Sequence, residues 1–348
     1  MNDFISTQYL RSSLQLSIST LQSNLATSQT ESTTGQYADV GLHLGSQAGQ
    51  EISLQNENGL LQTYSDTNSM VATNMSSAQS ALGALQTNAQ STLDSLAQWT
   101  PDTYSATALQ NLGASNLKTL VATSNTTVGG QYVFGGINSG VAPMTDYFAP
   151  PGAAQTAIQS AFATYLGALV PPTTAQTVTA SQMQTFLASP AFTSQFQGAG
   201  WASNWSSASS TNITNNISPS ETATTSTNIN QPAFQDLAQG YAMLNEFAGT
   251  AINAAAMQSV VTAASGLIGG AVSSLTTTQA GLGAVQARVT EANTHMAAQM
   301  TILQTQIGNL DSVNAFQTAT RVSALTTQIQ TAYSLTAALQ KLSLVNYL

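Results

Sequence analysis

The residues able to do chemistry are few and poorly placed for it. His43 and His295 are the only histidines, and neither is read as having a second His or a carboxylate at metal-ligand spacing. A serine nucleophile would have to take its general base from one of these two, and serines are so abundant that a chance approach would mean nothing. Among the acids, Glu51 and Glu57 are six residues apart and share a helix face poorly. Asp94 and Asp102 straddle a break at Pro101, so no acid/base couple is read. Gly129-Gly130 and Gly135-Gly136 lack the lysine and the following apolar helix of a phosphate loop, and read as a tight β turn. Asn125-Thr126-Thr127, Asn204-Trp205-Ser206 and Asn212-Ile213-Thr214 fit the glycosylation pattern, as chance dictates in a chain so rich in Asn, Ser and Thr. Without cysteine there are no disulfides, no thiolate chemistry and no Cys-bound metal. The sequence therefore predicts no catalytic, cofactor or metal site, and the chain is not read as an enzyme.

Chemistry being absent, composition is the next guide. Charged residues make up 5% of the 348, against about 25% in an ordinary globular domain. Ser, Thr, Asn, Gln, Ala and Gly fill the surface instead, so little charge keeps identical copies apart and self-association is eased. Hydrophobic residues, at 42%, suffice for a sizeable core. Arg11, Lys118, Arg288, Arg321 and Lys341 are scattered along a chain of net charge −9, which excludes a nucleic-acid stripe and disfavours an anionic membrane surface. The start, Met1-Asn2-Asp3-Phe4-Ile5-Ser6, is not read as a secretory signal, and no uninterrupted apolar run of about 18 residues predicts a membrane span.

Both ends read as amphipathic helices. Between Phe4 and Thr33 there is no Pro or Gly, and Leu10, Leu14, Ile18, Leu21 and Leu25 recur on one helical stripe. From Thr301 to Leu348 only Gly308 interrupts. There Val322, Leu325, Ile329, Leu339 and Leu342 form a second stripe. A lone helix of such Ser/Thr-rich composition is weak in water, so each stripe needs a partner, and a coiled coil joining the chain ends is the simple solution. These ten residues are the predicted assembly interface.

Inward of the ends, a long helical tract from Gln47 to Gln98 carries Ile52, Leu54, Leu61, Met70, Val71, Leu82, Leu85, Leu93 and Leu96. A shorter one follows from Thr103 to Asn125. Tyr132-Val133-Phe134 before two glycines reads as a strand and turn. Prolines and two tryptophans, Trp201 and Trp205, gather in 137–231, which reads as a surface-exposed insert of short helices and loops, with the tryptophans packing its small core. Helical rhythm resumes after Pro232. The predicted fold is mainly α and nested. Residues 1–35 with 301–348 form a terminal coiled coil; 36–136 with 232–300 form a long-helix bundle with a β-hairpin; 137–231 is a mixed, irregular inserted domain.

Four segments carry a resemblance. They are the N-terminal helix ending Thr33-Thr34-Gly35, the turn Gly130-Gln131-Tyr132-Val133-Phe134-Gly135-Gly136, the helix Leu282-Gly283-Ala284-Val285-Gln286-Ala287-Arg288-Val289, and the ending Leu342-Ser343-Leu344-Val345-Asn346-Tyr347-Leu348. In this order they resemble the bacterial flagellin superfamily, and the ending resembles its hook–filament junction branch more than filament flagellin. Filament flagellins usually carry an Arg-x-Asn segment and paired acids after the first glycine break; Gln36-Tyr37-Ala38-Asp39-Val40 has one acid. The resemblance implies an extracellular structural subunit, exported unfolded through the flagellar type III channel with an export chaperone. It would self-assemble into a ring or tube between a hook-side adaptor and filament flagellin. A filament flagellin is the alternative reading, and an exported adhesin recognising its target through the insert a more distant one.

Overall fold

The computed structural model describes residues 7–100, 105–150, 152–250 and 252–345, with the side chains of 7, 8 and 339–345 outside that description. Of the described residues 74% are helical, with short strands and no closed sheet among them. The chain divides into two compact units: 1–62 with 296–348, and 63–295.

The first unit contains α1 (Thr7–Thr34), α2 (Val40–Leu44), the start of α3 (Ala48–Ala97), the end of α10 (Ala254–Asp311) and α11 (Ala315–Val345). The sequence showed no reason for a break between 301 and 348 other than Gly308, yet the helix stops at Asp311. The break has a local cause: the Asn314 side chain accepts the Gln317 N–H at 3.1 Å and so starts α11 as an N-cap. The Val313 N–H meanwhile leaves the helix to reach the Gly35 carbonyl at 3.0 Å.

The second unit is built on three helices. The α3 seam runs Asn68, Val71, Met75, Ala78, Leu82, Leu85, Ala89, Thr92 and Leu96, all buried and alternating in steps of three and four as a coiled-coil seam does. Ile52 and Met70, which the sequence placed in this rhythm, are 54% and 68% exposed. They fall off a seam whose intervening members are small or polar and so escaped a hydrophobicity reading. Along α10, Ile268, Ala271, Leu275, Leu282, Val289 and Ala292 repeat the same spacing. The Gln79 amide donates to the Gln279 carbonyl at 2.7 Å, Gln86 to Thr276 at 3.1 Å and Asn68 to Asn293 at 2.8 Å, so the two helices run antiparallel. α10 is long and apolar enough to cross a membrane by composition, which the search for unbroken apolar runs passed over; 44% of its most apolar window is buried within the protein.

The third helix, α9 (Pro232–Gly249), is enclosed: every residue from Leu237 through Ala248 is buried. It packs on α4 (Ala106–Ser124), where Gly113 permits the approach. A Cβ there would stand 2.5 Å from the Asn245 nitrogen.

The segment 137–231 does form short helices, α5 (Ala153–Ala168), α6 (Ala180–Ala188), α7 (Pro190–Thr193) and α8 (Gly198–Asn204), and a hairpin of β3 (Thr214–Ser218) with β4 (Glu221–Thr224). Its aromatic core continues into α9. The Phe162, Phe186 and Phe192 rings lie 5.0–5.9 Å from that of Phe247, and Tyr147 stacks on Trp205 at 5.2 Å. Trp201 and Trp205 are buried and stacked on each other at 5.8 Å, so they pack the core and present no recognition surface. At the centre, Glu246 of α9 is 5% exposed and accepts hydrogen bonds from Tyr147, Gln155, Gln159 and Asn245.

The glycine-rich turn closes this unit. β1 (Thr127–Val128) pairs with β2 (Gln131–Tyr132) across Gly129-Gly130, both at positive φ, as a two-residue hairpin requires. The expected strand through Phe134 ends at Tyr132; the Val133 N–H still bonds the Thr126 carbonyl opposite it in the hairpin register, and the Tyr132 N–H points outward to the Ser139 carbonyl. Phe134 is fully buried against Phe234. Gly136, at φ +61°, lies so close to the returning chain that a Cβ would stand 2.6 Å from the Ser209 and Thr211 carbonyl oxygens. Gly136→Ala should therefore combine left-handed strain with displacement of that chain, a loss of about 3 kcal/mol. Thermal denaturation by circular dichroism should show a fall of roughly 5–10 °C. Gly140→Ala, whose Cβ meets nothing within 4 Å, should melt as the parent does.

Candidate assembly interface

The terminal helices meet within one chain. The Gln22 amide donates to the Tyr333 hydroxyl at 2.7 Å, and Arg321 Nη1 lies 3.6 Å from Glu31 Oε2. Early residues of α1 face late residues of α11, so the pair is antiparallel. Leu14, Ile18, Leu21 and Leu25 are half-buried, and Leu10 is 38% exposed near the open end. Opposite them Leu325 and Ile329 are buried and Val322 is half-buried. The side chains of Leu339 and Leu342 lie outside the described residues. Seven of the ten predicted interface residues thus lie half-buried or buried on two facing stripes, and Leu10 stands exposed at the open end.

The closed end of the pair is clamped by backbone. α1 stops at Gly35, at φ +73°. Beyond it Gln36 bridges Ser312, and the Tyr37 N–H reaches the Asp311 carbonyl at 3.0 Å. Glu31 is buried at this joint, where one oxygen accepts the Ala38 N–H at 3.4 Å and the other faces the largely exposed Arg321. A half-buried ion pair of this kind fixes register more than it adds stability.

What remains uncovered is as informative. Among the described residues, ten of the fourteen large apolar side chains that stand exposed belong to the first unit, although it holds about a third of the chain. Tyr9 and Leu16 of α1 are 71% and 72% exposed, and Phe316 and Leu335 of α11 are 81% and 50% exposed. These form faces other than the paired stripes. Sequence reading passed over them because each helix was assigned one stripe; the seven-residue step from Tyr9 to Leu16 is the signal of a second.

The residues weighed for chemistry have ordinary roles. The Tyr37 ring stacks on His43 at 3.5 Å, and Asp39 caps α2 by accepting the Leu42 N–H at 2.8 Å. His295 lies 3.7 Å from Glu291, one turn earlier, a surface pairing that the four-residue spacing announces and the sequence reading missed. Among the described residues no three His, Asp or Glu side chains gather closely enough to hold a metal ion. Asn125 uses its amide on both sides of Met144, and Asn212 accepts from Asn228. Arg288 of the Gln-x-Arg helix binds Glu221 at 2.7 Å and the Thr222 carbonyl at 3.2 Å, fastening the β3–β4 hairpin to α10.

Two family models match the chain. Residues 5–139 match the bacterial flagellin N-terminal helical region, and residues 265–348 match the bacterial flagellin C-terminal helical region. No curated protein sequence matches it. The two regions take in both helices of the terminal pair, most of the antiparallel α3–α10 seam and the glycine-rich turn. The chain belongs to the bacterial flagellin superfamily, and is a structural, self-associating subunit of the extracellular flagellum.

Proposed function

We propose that the subunit forms the junction between hook and filament. On this reading it is exported unfolded with a chaperone and polymerises through its terminal helices between a hook-side adaptor and filament flagellin. The observation that carries self-assembly is the concentration of exposed apolar side chains on the first unit. An unpartnered apolar surface of this size favours burial against identical neighbours. The junction assignment is supported by the segment after Gly35, where Asp39 is occupied as a helix cap and the paired acids of filament flagellins are missing. We further propose that 1–35 with 301–348 acts as the inner layer of the assembly and 137–231 as its outer face. The ten stripe residues hold the pair together and the outward faces contact neighbours.

Deletion of the gene should leave cells with bare hooks and with flagellin shed into the medium, and immunogold should label a single band at the hook's end. A match to the flagellin models favours the second reading, a filament subunit. Label along the whole filament, or filaments merely shortened by the deletion, would establish that reading in place of ours.

A further inference from the structure

A groove of about 190 Å³ opens in the second unit between the middle of α3 and the two hairpins. Val71, Val133 and Ile213 provide an apolar floor, with the exposed Met70 at its edge. The walls carry the amides of Asn74 and Gln131, the phenol of Tyr132 and the hydroxyl of Ser139. None of the groove's lining residues is charged.

In a chain this poor in charge an uncharged groove is ordinary, so the decisive feature is what its polar groups do. A wider groove along α3 and α4 is lined only by Ala, Ser and Thr. There Thr73, Ser77 and Ser80 give their hydroxyl protons to carbonyls one turn back in their own helix. The side chains of Asn74, Gln131, Tyr132 and Ser139, by contrast, make no hydrogen bond among the described residues. Two amides, a phenol and a hydroxyl therefore stand ready around an apolar floor.

A charged ligand would find no counter-charge here, and a phosphate no cation. A purely apolar one would leave the amides unpaired as it displaced their water. The fitting ligand is neutral, offers donors and acceptors together, has one apolar face and is about one ring in size. We propose that this groove binds a neutral sugar, one pyranose ring of a glycan. The C–H face of the ring would lie against Tyr132 and the apolar floor, and its hydroxyls would meet Asn74, Gln131 and Ser139.

The test uses the purified full-length chain with glucose, galactose, mannose and N-acetylglucosamine as probes, read by saturation-transfer NMR. At least one sugar should bind at millimolar concentration, with transfer strongest on ring C–H protons. Asn74→Leu and Tyr132→Ala should each weaken binding about tenfold. Ser77→Ala, in the other groove, should leave it unchanged. Melting curves accompany each variant. Should Tyr132→Ala lower the melting temperature, Asn74→Leu, exposed on α3, carries the comparison alone. No transfer from any sugar overturns the proposal, as does binding indifferent to both variants. Concentration-dependent shifts at the groove without sugar would also overturn it, by seating a second copy there. None of these failures bears on assembly through the first unit.

Discussion

Leu325→Asp should abolish assembly while leaving the second unit folded. Leu325 is 8% exposed on the face of α11 that meets α1, and Ile329 one turn on is buried equally. The substitution removes a buried aliphatic side chain and puts a carboxylate in its place, with no cation provided for it. Arg321, the nearest base along the helix, already faces Glu31. The combined cost is about 3 kcal/mol or more, about a hundredfold in the pairing equilibrium. Helices this rich in Ser and Thr, with scarcely an ion pair along their length, have little intrinsic stability to set against it. Amide exchange should therefore accelerate through α1 and α11 while α4 and α9 remain protected, and electron microscopy should find no polymer. Leu16→Asp is the informative companion. Leu16 is 72% exposed, so its carboxylate is solvated in the monomer and the pair should survive, yet polymerisation should fail if the outward face meets neighbours. Normal polymer from Leu325→Asp would sink the terminal-pair interface, and normal polymer from Leu16→Asp would sink the outward one.

The contrast between those two leucines marks where sequence reasoning ran out. The stripe of Leu14, Ile18, Leu21 and Leu25 was legible because four aliphatic residues at helical spacing leave little other reading, and the matching stripe at the far end named its partner. Tyr9 and Leu16 were not legible as a second face, since two residues seven apart carry no weight until the first face is seen to be occupied. The α3 seam escaped for a chemical reason. Asn68 and Thr92 are polar and Ala78 and Ala89 small, yet all four occupy core positions, whereas Ile52 and Met70 are large and hydrophobic without being core. The same blindness separated 137–231 from α9. Proline and polar composition suggested a separate module, but Phe162, Phe186 and Phe192 complete their packing only on Phe247, far along the chain. Pairings of that kind depend on three-dimensional closure and leave no periodic trace.

Glu246 shows the same limit most sharply, and its replacement should have the largest effect on the second unit. The residue reads as one more helical acid, yet it lies in the aromatic core. One oxygen accepts from Tyr147 at 2.9 Å, Gln155 at 2.9 Å and Asn245 at 2.7 Å, the other from Gln159 at 2.8 Å. These bonds tie α5 and the Tyr147 loop to α9, and among the described residues Glu246 is in no ion pair. Glu246→Ala removes the acceptor and strands the buried Tyr147 hydroxyl and Asn245 amide, while the half-buried Gln155 and the exposed Gln159 can turn to water, so a loss of about 3 kcal/mol is expected, roughly 5–10 °C in melting temperature. Glu246→Gln should cost far less, about 1 kcal/mol. Its oxygen can keep the three-donor position, and Gln159 can turn its amide to offer an oxygen to the new N–H. The network also sets an alkaline limit. Burial, and then the charge on Glu246, push the Tyr147 phenol above its usual range, and burial does the same to Tyr241. A phenol that is harder to ionise when folded favours the unfolded chain once pH passes the unfolded value of about 10, so stability is full below that point and falls above it. Tyr147→Phe should flatten this alkaline decline while lowering stability at neutral pH by about 1–2 kcal/mol, through the lost bond to Glu246. Urea titrations of the three variants at neutral and alkaline pH separate the cases. If Glu246→Ala loses less than about 1 kcal/mol against the parent, no more than the cost of one orphaned buried donor, the acid is a passenger in the core and the insert is held by its aromatic rings alone.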